Sequence, residues 1–197
     1  MNDVISIGTR ERVRPDHDPA GDTARAAGLP AWLCAVQLIL AYEWLISGLN
    51  KILNPHFDAQ LPAVLRQSIA NNPYGWYTTL LQRIVLPHHA LFAPLARLGE
   101  TSVGLTLLVG AALWLWRPRS RATIYAGWAA CLALLGAAFL ALNYFFQGGT
   151  PLPWINPGNA YNPGVDIDIL IPLLCLVLVI ANVRALMASP VGAGRSC

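Results

Sequence analysis

Four stretches of this chain stay apolar for longer than the helices of a soluble core usually do. They cover residues 30–53, 91–116, 122–146 and 167–187, and a helix crosses a bilayer with about 20 mostly apolar residues. The fourth is the shortest, free of charge from Ile169 to Val183, and its flanks extend it. Between the first two the pattern changes. Leu61, Val64, Leu65 and Ile69 recur at helical spacing, as do Tyr77, Leu80, Leu81 and Ile84, and Asn72-Pro73 with Gly75 splits the two groups. This predicts two short amphipathic helices that lie in the interface or cap a bundle. The other long connection, QGGTPLPWINPGNAYNPGVD, holds four prolines and predicts irregular backbone. A loop of that length in a small bundle is more often functional than a spacer. The expected fold is all-α: an integral membrane antiparallel four-helix bundle over residues 29–187, with short interfacial helices between spans one and two.

Composition agrees. The 197 residues are 55% hydrophobic and 12% charged, about half the charge of a soluble domain. The net charge of +3 is spread along the chain, so nucleic acid is not an expected partner and membrane lipid is. Residues 1–28 are polar and mix both charge signs, which suits a disordered tail. They lack the apolar core and cleavage site of a signal peptide, so the first span is expected to remain as a signal anchor. Residues 188–197 form a second tail.

Positive charge sets the expected orientation. Arg10, Arg12, Arg14, Arg25, Arg117, Arg119, Arg121, Arg184 and Arg195 fall on one side. Only Lys51, Arg66, Arg83 and Arg97 fall on the other, along a much longer connection. Both termini are therefore predicted to face the cytoplasm, in a multi-pass protein of the cell membrane. Trp32, Trp114, Trp116 and Trp128 would then mark the inner interface, and Tyr144, Phe145, Phe146 and Trp154 the outer one. Gly99, Ser102, Gly104, Gly127, Gly136 and Ala137 would allow close helix contact.

Charge inside the spans changes the picture from a bland bundle to one with a candidate site. Glu43 lies near the middle of the first span and Lys51 near its end, while Arg97 and Glu100 open the second. Such residues are costly at bilayer depth and usually face the bundle interior, where they pair or serve a site. Glu43, Ser47, Asn50 and Lys51 are at i, i+4, i+7 and i+8, and so share one helix face. Arg97 and Glu100 are three apart and can pair. Glu43 with Arg97, or Lys51 with Glu100, are natural inter-helix pairs. Asn143 and the aspartates Asp166 and Asp168 fall at the same predicted outer end, with His56, His88 and His89 in the adjoining connection.

Two readings follow. In one, these groups glue the first two helices together. In the other they line a polar pocket opening outward, where Lys51 and Arg97 suit an anion or a carbonyl and Glu43 or Glu100 carries a proton. Asp168 before ILIPLL reads as a helix N-cap, and Pro172 falls in the first turn of span four, where proline is tolerated. Cys34, Cys131, Cys175 and Cys197 are scattered and read as small hydrophobes. No haem, flavin or metal motif is present, and adjacent His88 and His89 would point apart on a helix.

The stretch YEWLISGLNKILNPHF resembles the first span of the DoxX/DoxD family. The segment NPYGWYTTLLQRIVLPHHALFAPLARLGETSVGLTLLVGAAL is similar to its DoxD branch, and LNYFFQGG with the Asp before span four also fits. The resemblance covers roughly residues 33–186, with the region around Gly48 and Lys51 and the Gly99-Glu100 pair as its motifs. It implies a four-span bundle and a subunit of a thiosulfate:quinone oxidoreductase, with membrane quinone as electron acceptor and a DoxA-like subunit as partner. Lys51, Arg97, Ser47, Asn50 and Asn143 would then hold the anion or quinone carbonyl, and Glu43 or Glu100 would shuttle the proton. The alternative is a non-catalytic anchor, scaffold or small-solute permeation component for a soluble redox partner. A homo-oligomer is compatible with either.

Overall fold

The computed structural model describes residues 29–118, 120–149 and 167–189. The two tails, and the proline-rich loop from 150 to 166 with Trp154 and Asp166, lie outside them. The described residues form six α-helices and no strand: α1 (Ala31–Leu53), α2 (Phe57–Asn71), α3 (Gly75–Leu80), α4 (His89–Trp116), α5 (Arg121–Gly148) and α6 (Ile167–Met187). A π-helical turn, Leu81–Val85, continues α3. Helices α1, α4, α5 and α6 are long and apolar enough to cross a membrane. Their bounds fall within two residues of those the hydropathy pattern predicts.

Local chemistry explains where α5 begins and ends. Ser120 is its N-cap, accepting a hydrogen bond from the Thr123 backbone N–H at 3.1 Å. Gly149 ends it at φ 68°, in the left-handed region that favours glycine. A Cβ there would also press to 3.2 Å from Pro73 and 3.3 Å from Asn72, so the same glycine admits the chain of the cap. Two expectations in α6 shift inward along the helix. Asp168 lies inside the first turn rather than before it, where the helix dipole still favours its charge. Pro172 is buried one turn deeper than expected, at the cost of one helical hydrogen bond.

The bundle is built from tight neighbours in chain order: α1 on α4, α4 on α5, α5 on α6, with α1 and α6 touching only lightly. Lipid is as apolar as leucine, so such helices associate through close packing rather than through a hydrophobic drive. Gly48 and Gly104 supply it between α1 and α4. A Cβ on Gly48 would meet the Thr101 backbone nitrogen at 2.6 Å, and one on Gly104 the Leu45 Cα at 2.8 Å. Gly127 does the same for α5 against Leu186, and Ala137 is fully buried. Gly99 and Gly136 have ordinary room and Ser102 is exposed, so these three are not close-approach points.

At the Lys51 end of the bundle, α2 and α3 form the cap. Leu65, Tyr77 and Leu81 make its small core, with Leu61, Ile69 and Phe146 packed around them. Val64 and Ile84 of the two predicted stripes face outward instead. The cap is fastened to the end of α5 by Asn72 Nδ2, which donates to the Phe146 carbonyl at 2.5 Å, and by the Tyr77 hydroxyl, which donates to the Asn143 carbonyl at 3.0 Å. Rings of Tyr74, Trp76 and Tyr77 pack on Phe146 at 4.9 to 5.7 Å. Burial raises the Tyr77 phenol pKa to about 12. The expected aromatic belts hold only in part: Trp32, Trp116 and Trp128 are exposed, whereas Trp114 and Phe145 are buried.

Candidate functional site

Three spans bring polar side chains together at the Lys51 end. Glu100, in the fourth turn of α4, is fully buried. Its Oε2 accepts from Lys51 Nζ at 2.6 Å, and its Oε1 accepts from the Tyr144 hydroxyl of α5. Lys51 Nζ also donates to Ser47 Oγ, one turn back on α1, at 2.9 Å. The ammonium stands 5.6 Å from the centre of the Tyr144 ring, and Trp44 stacks on that ring at 6.3 Å between centroids. Carboxylate, ammonium, phenol and hydroxyl thus form one connected network.

The network is closed on most sides and open on one. Glu100 is sealed, while 23% of the Lys51 side chain remains exposed. An ammonium has three N–H donors, and only two are used among the described residues. The third has no hydrogen-bond partner among the described residues, and the exposed part of the side chain leaves room for one. Trp44 Nε1, also buried, has no hydrogen-bond partner among the described residues.

The other sequence candidates lie apart from this cluster. Glu43 and Arg97 do not pair. Arg97 Nη2 reaches instead to Asp58 of α2 at 3.1 Å, and its guanidinium lies 5.9 Å from the centre of the Phe57 ring, which clasps the cap to α4. Nor does Arg97 pair with Glu100, although they are three residues apart. Glu43 and Asn50 are exposed. The expected shared face fails because each residue turns the helix by about 100°, so four residues overshoot a turn by about 40°. From Glu43 through Ser47 to Lys51 the side chains therefore swing about 80°, from outside the bundle to its interior. The Asn143 amide turns back to the Phe139 carbonyl of its own helix at 2.8 Å. His88 and His89 hold the carbonyls of Ile84 and Leu86, and no three potential metal ligands converge among the described residues.

A second polar site lies toward the opposite end, and it carries no charge. Gln37 of α1 and Asn182 of α6 are fully buried. Asn182 Nδ2 donates to Gln37 Oε1 at 3.1 Å and to the Leu178 carbonyl at 2.8 Å, while Gln37 Nε2 donates to the Leu107 carbonyl of α4 at 3.1 Å. These amides join three spans where α1 and α6 otherwise touch little. A scan for charge passes over them, and over Tyr144. The signal was nevertheless in the sequence: an amide or a phenol inside an apolar span needs a hydrogen-bond partner. No family model matches the chain, and no curated protein and no solved structure matches it either.

Proposed function

We propose that the chain is a DoxD-like membrane subunit of a quinone-linked oxidoreductase, with thiosulfate as the donor to be tested first. The observation that carries this reading is the unused N–H of Lys51 at the exposed edge of a buried carboxylate–phenol pair. An N–H there can donate to a quinone carbonyl or to an anion oxygen. Glu100 accepts from both Lys51 and Tyr144, so it stands as a carboxylate that holds Lys51 in its ammonium form, and a proton that Lys51 gives up is replaced from water at the exposed edge. Reduction of a quinone to a quinol takes up two electrons and two protons; oxidation of two thiosulfates to tetrathionate supplies the electrons, and water reached through Lys51 supplies the protons. Glu100 is the carboxylate that serves this path, because Glu43 is not part of the cluster, and Arg97 acts through the cap rather than on the ligand. The charge distribution supports cytoplasmic termini, which turns the Lys51 end outward.

The test is quinone reduction by the purified full chain in detergent, with thiosulfate and a soluble quinone analogue. Lys51→Met combined with Glu100→Gln, which leaves no buried charge unpaired, is expected to abolish turnover in a protein that still folds and inserts. A folded wild-type protein that reduces no quinone would overturn the proposal. A second reading has its own support, since Lys51, Glu100, Tyr144 and Ser47 already satisfy one another almost completely. On that reading the cluster is a helix lock in a scaffold, anchor or small-solute permeation component. Lys51→Met would then lower stability or partner binding and leave no reaction to lose.

A further inference from the structure

Glu43 sits near mid-span in α1, about 18 Å of helix rise from Ala31 and about 15 Å from Leu53. Its side chain is exposed, and no hydrogen bond or ion pair reaches it among the described residues. The residues that α1 buries, among them Gln37, Ala41, Trp44 and Gly48, lie on the opposite side of the helix. Ionisable residues in a membrane almost always face a protein interior, because lipid offers them no partner. The exposed mid-span positions of α5 and α6 show the contrast: Leu132, Leu135, Leu173, Val177 and Ile180 are all apolar.

The surroundings of Glu43 have a pattern. Val36, Ile39, Glu43, Ile46, Asn50 and Leu53 alternate in steps of three and four, the spacing of a helix–helix seam. Val36 packs against the bundle's own core, but Ile39 is 69% exposed and Leu53 is 76% exposed, with Glu43, Ile46 and Asn50 exposed between them, so the seam is uncovered from Ile39 onward. Its two polar members are seven residues apart and share one register.

We propose that this face of α1 is the interface of a parallel two-fold dimer of this chain. Two copies inserted with the same topology would bring α1 against α1, and positions near the two-fold axis meet themselves. Both polar positions suit self-pairing. An asparagine amide carries donors and acceptors, and two carboxyl groups can share one proton. Hydrogen bonds of this type hold spans together in lipid. The seam points away from Lys51 and Glu100, so the proposal stands independently of the quinone reading.

The experiment is cysteine crosslinking of the full chain in lipid vesicles, in a Cys197→Ser background that leaves Cys34, Cys131 and Cys175 buried. Ile39→Cys and Ile46→Cys are expected to give a disulfide-linked pair of copies under mild oxidation, and Leu132→Cys on α5 none. Energy transfer between labelled copies on dilution with lipid supplies the second readout. Glu43→Ala is expected to shift the monomer–dimer midpoint about tenfold toward monomer, while Glu43→Gln, whose amide can self-pair, retains most of the dimer. Monomer at every lipid ratio, equal crosslinking at Leu132→Cys, or crosslinking of Ile46→Cys to a different protein would each overturn it.

Discussion

At one end of the bundle an ion pair joins α1 to α4 and a phenol of α5 donates to the same carboxylate, and at the other α1 is joined to α4 and α6 by two uncharged amides. Both sites solve the problem of a polar group inside an apolar bundle, but they can do different things. The amides have no proton to give at ordinary pH, and they tie α1 to a helix it otherwise touches little. That is a structural task. The ionic site sits under a cap, keeps one N–H unused and is built from ionisable groups. Charge at depth marks an interior site only when the charged group faces the interior, as Glu100 does and Glu43 does not.

The largest effect that would sharpen this contrast is at Glu100. Replacing it with alanine leaves the Lys51 ammonium without its carboxylate; breaking a fully buried pair costs about 3–5 kcal/mol, and because 23% of the Lys51 side chain is exposed the expected loss is at or below the low end of that range. Thermal unfolding in detergent should show that loss, and adding Lys51→Met should recover much of it. A double variant as unstable as Glu100→Ala alone would mean that the charge pair is not what holds the site.

The amide site should respond more weakly. A double-mutant cycle of Gln37→Ala and Asn182→Ala is expected to give a coupling of about 0.6 kcal/mol, with about 1.7 as the ceiling for such bonds in membranes. A coupling as large as that of the ion pair would erase the distinction between the two ends.

The smallest effect is one of pH, and it belongs to the charged end only. Burial raises the phenol of Tyr77 to about 12, above the roughly 10 of an exposed tyrosine. The folded cap thus favours the neutral phenol. Its contribution is fully present below about pH 10 and is lost progressively as pH rises toward 12. Hydrogen-exchange protection, corrected for the base catalysis that speeds every amide, should fall in α2 and α3 across that window, whereas protection around Gln37 and Asn182 should not. Tyr77→Phe should flatten the response, and an unchanged response would locate its cause elsewhere.

Much of this architecture was readable before any coordinates. The ends of α1, α4, α5 and α6 follow from hydropathy, and Asn72-Pro73 and Gly75 mark the break between α2 and α3. The Lys51–Glu100 pair was one of two natural pairings, and it forms. The other, Glu43 with Arg97, does not, because Arg97 has a nearer anion in Asp58 and Glu43 points outward. Asp58 gave no sign of this, lying in a helix whose docking on α4 no local pattern specifies. Tyr144 was hidden among Phe145 and Phe146 as one more interfacial aromatic, although a phenol in that position must find an acceptor.

Four membrane spans follow from hydropathy alone, because the transfer of apolar residues into lipid is a sum over residues that needs no partner. Hydropathy and spacing also place most of the in-span charge toward one end, with Glu43 nearer mid-span. Which of these groups meet is a matter of packing. That choice depends on the rotation of each helix, at about 100° per residue, and on the close approach that Gly48 and Gly104 permit. Eight residues separate Glu43 from Lys51, and the turn between them puts one carboxylate outside the bundle while the ammonium meets another within it.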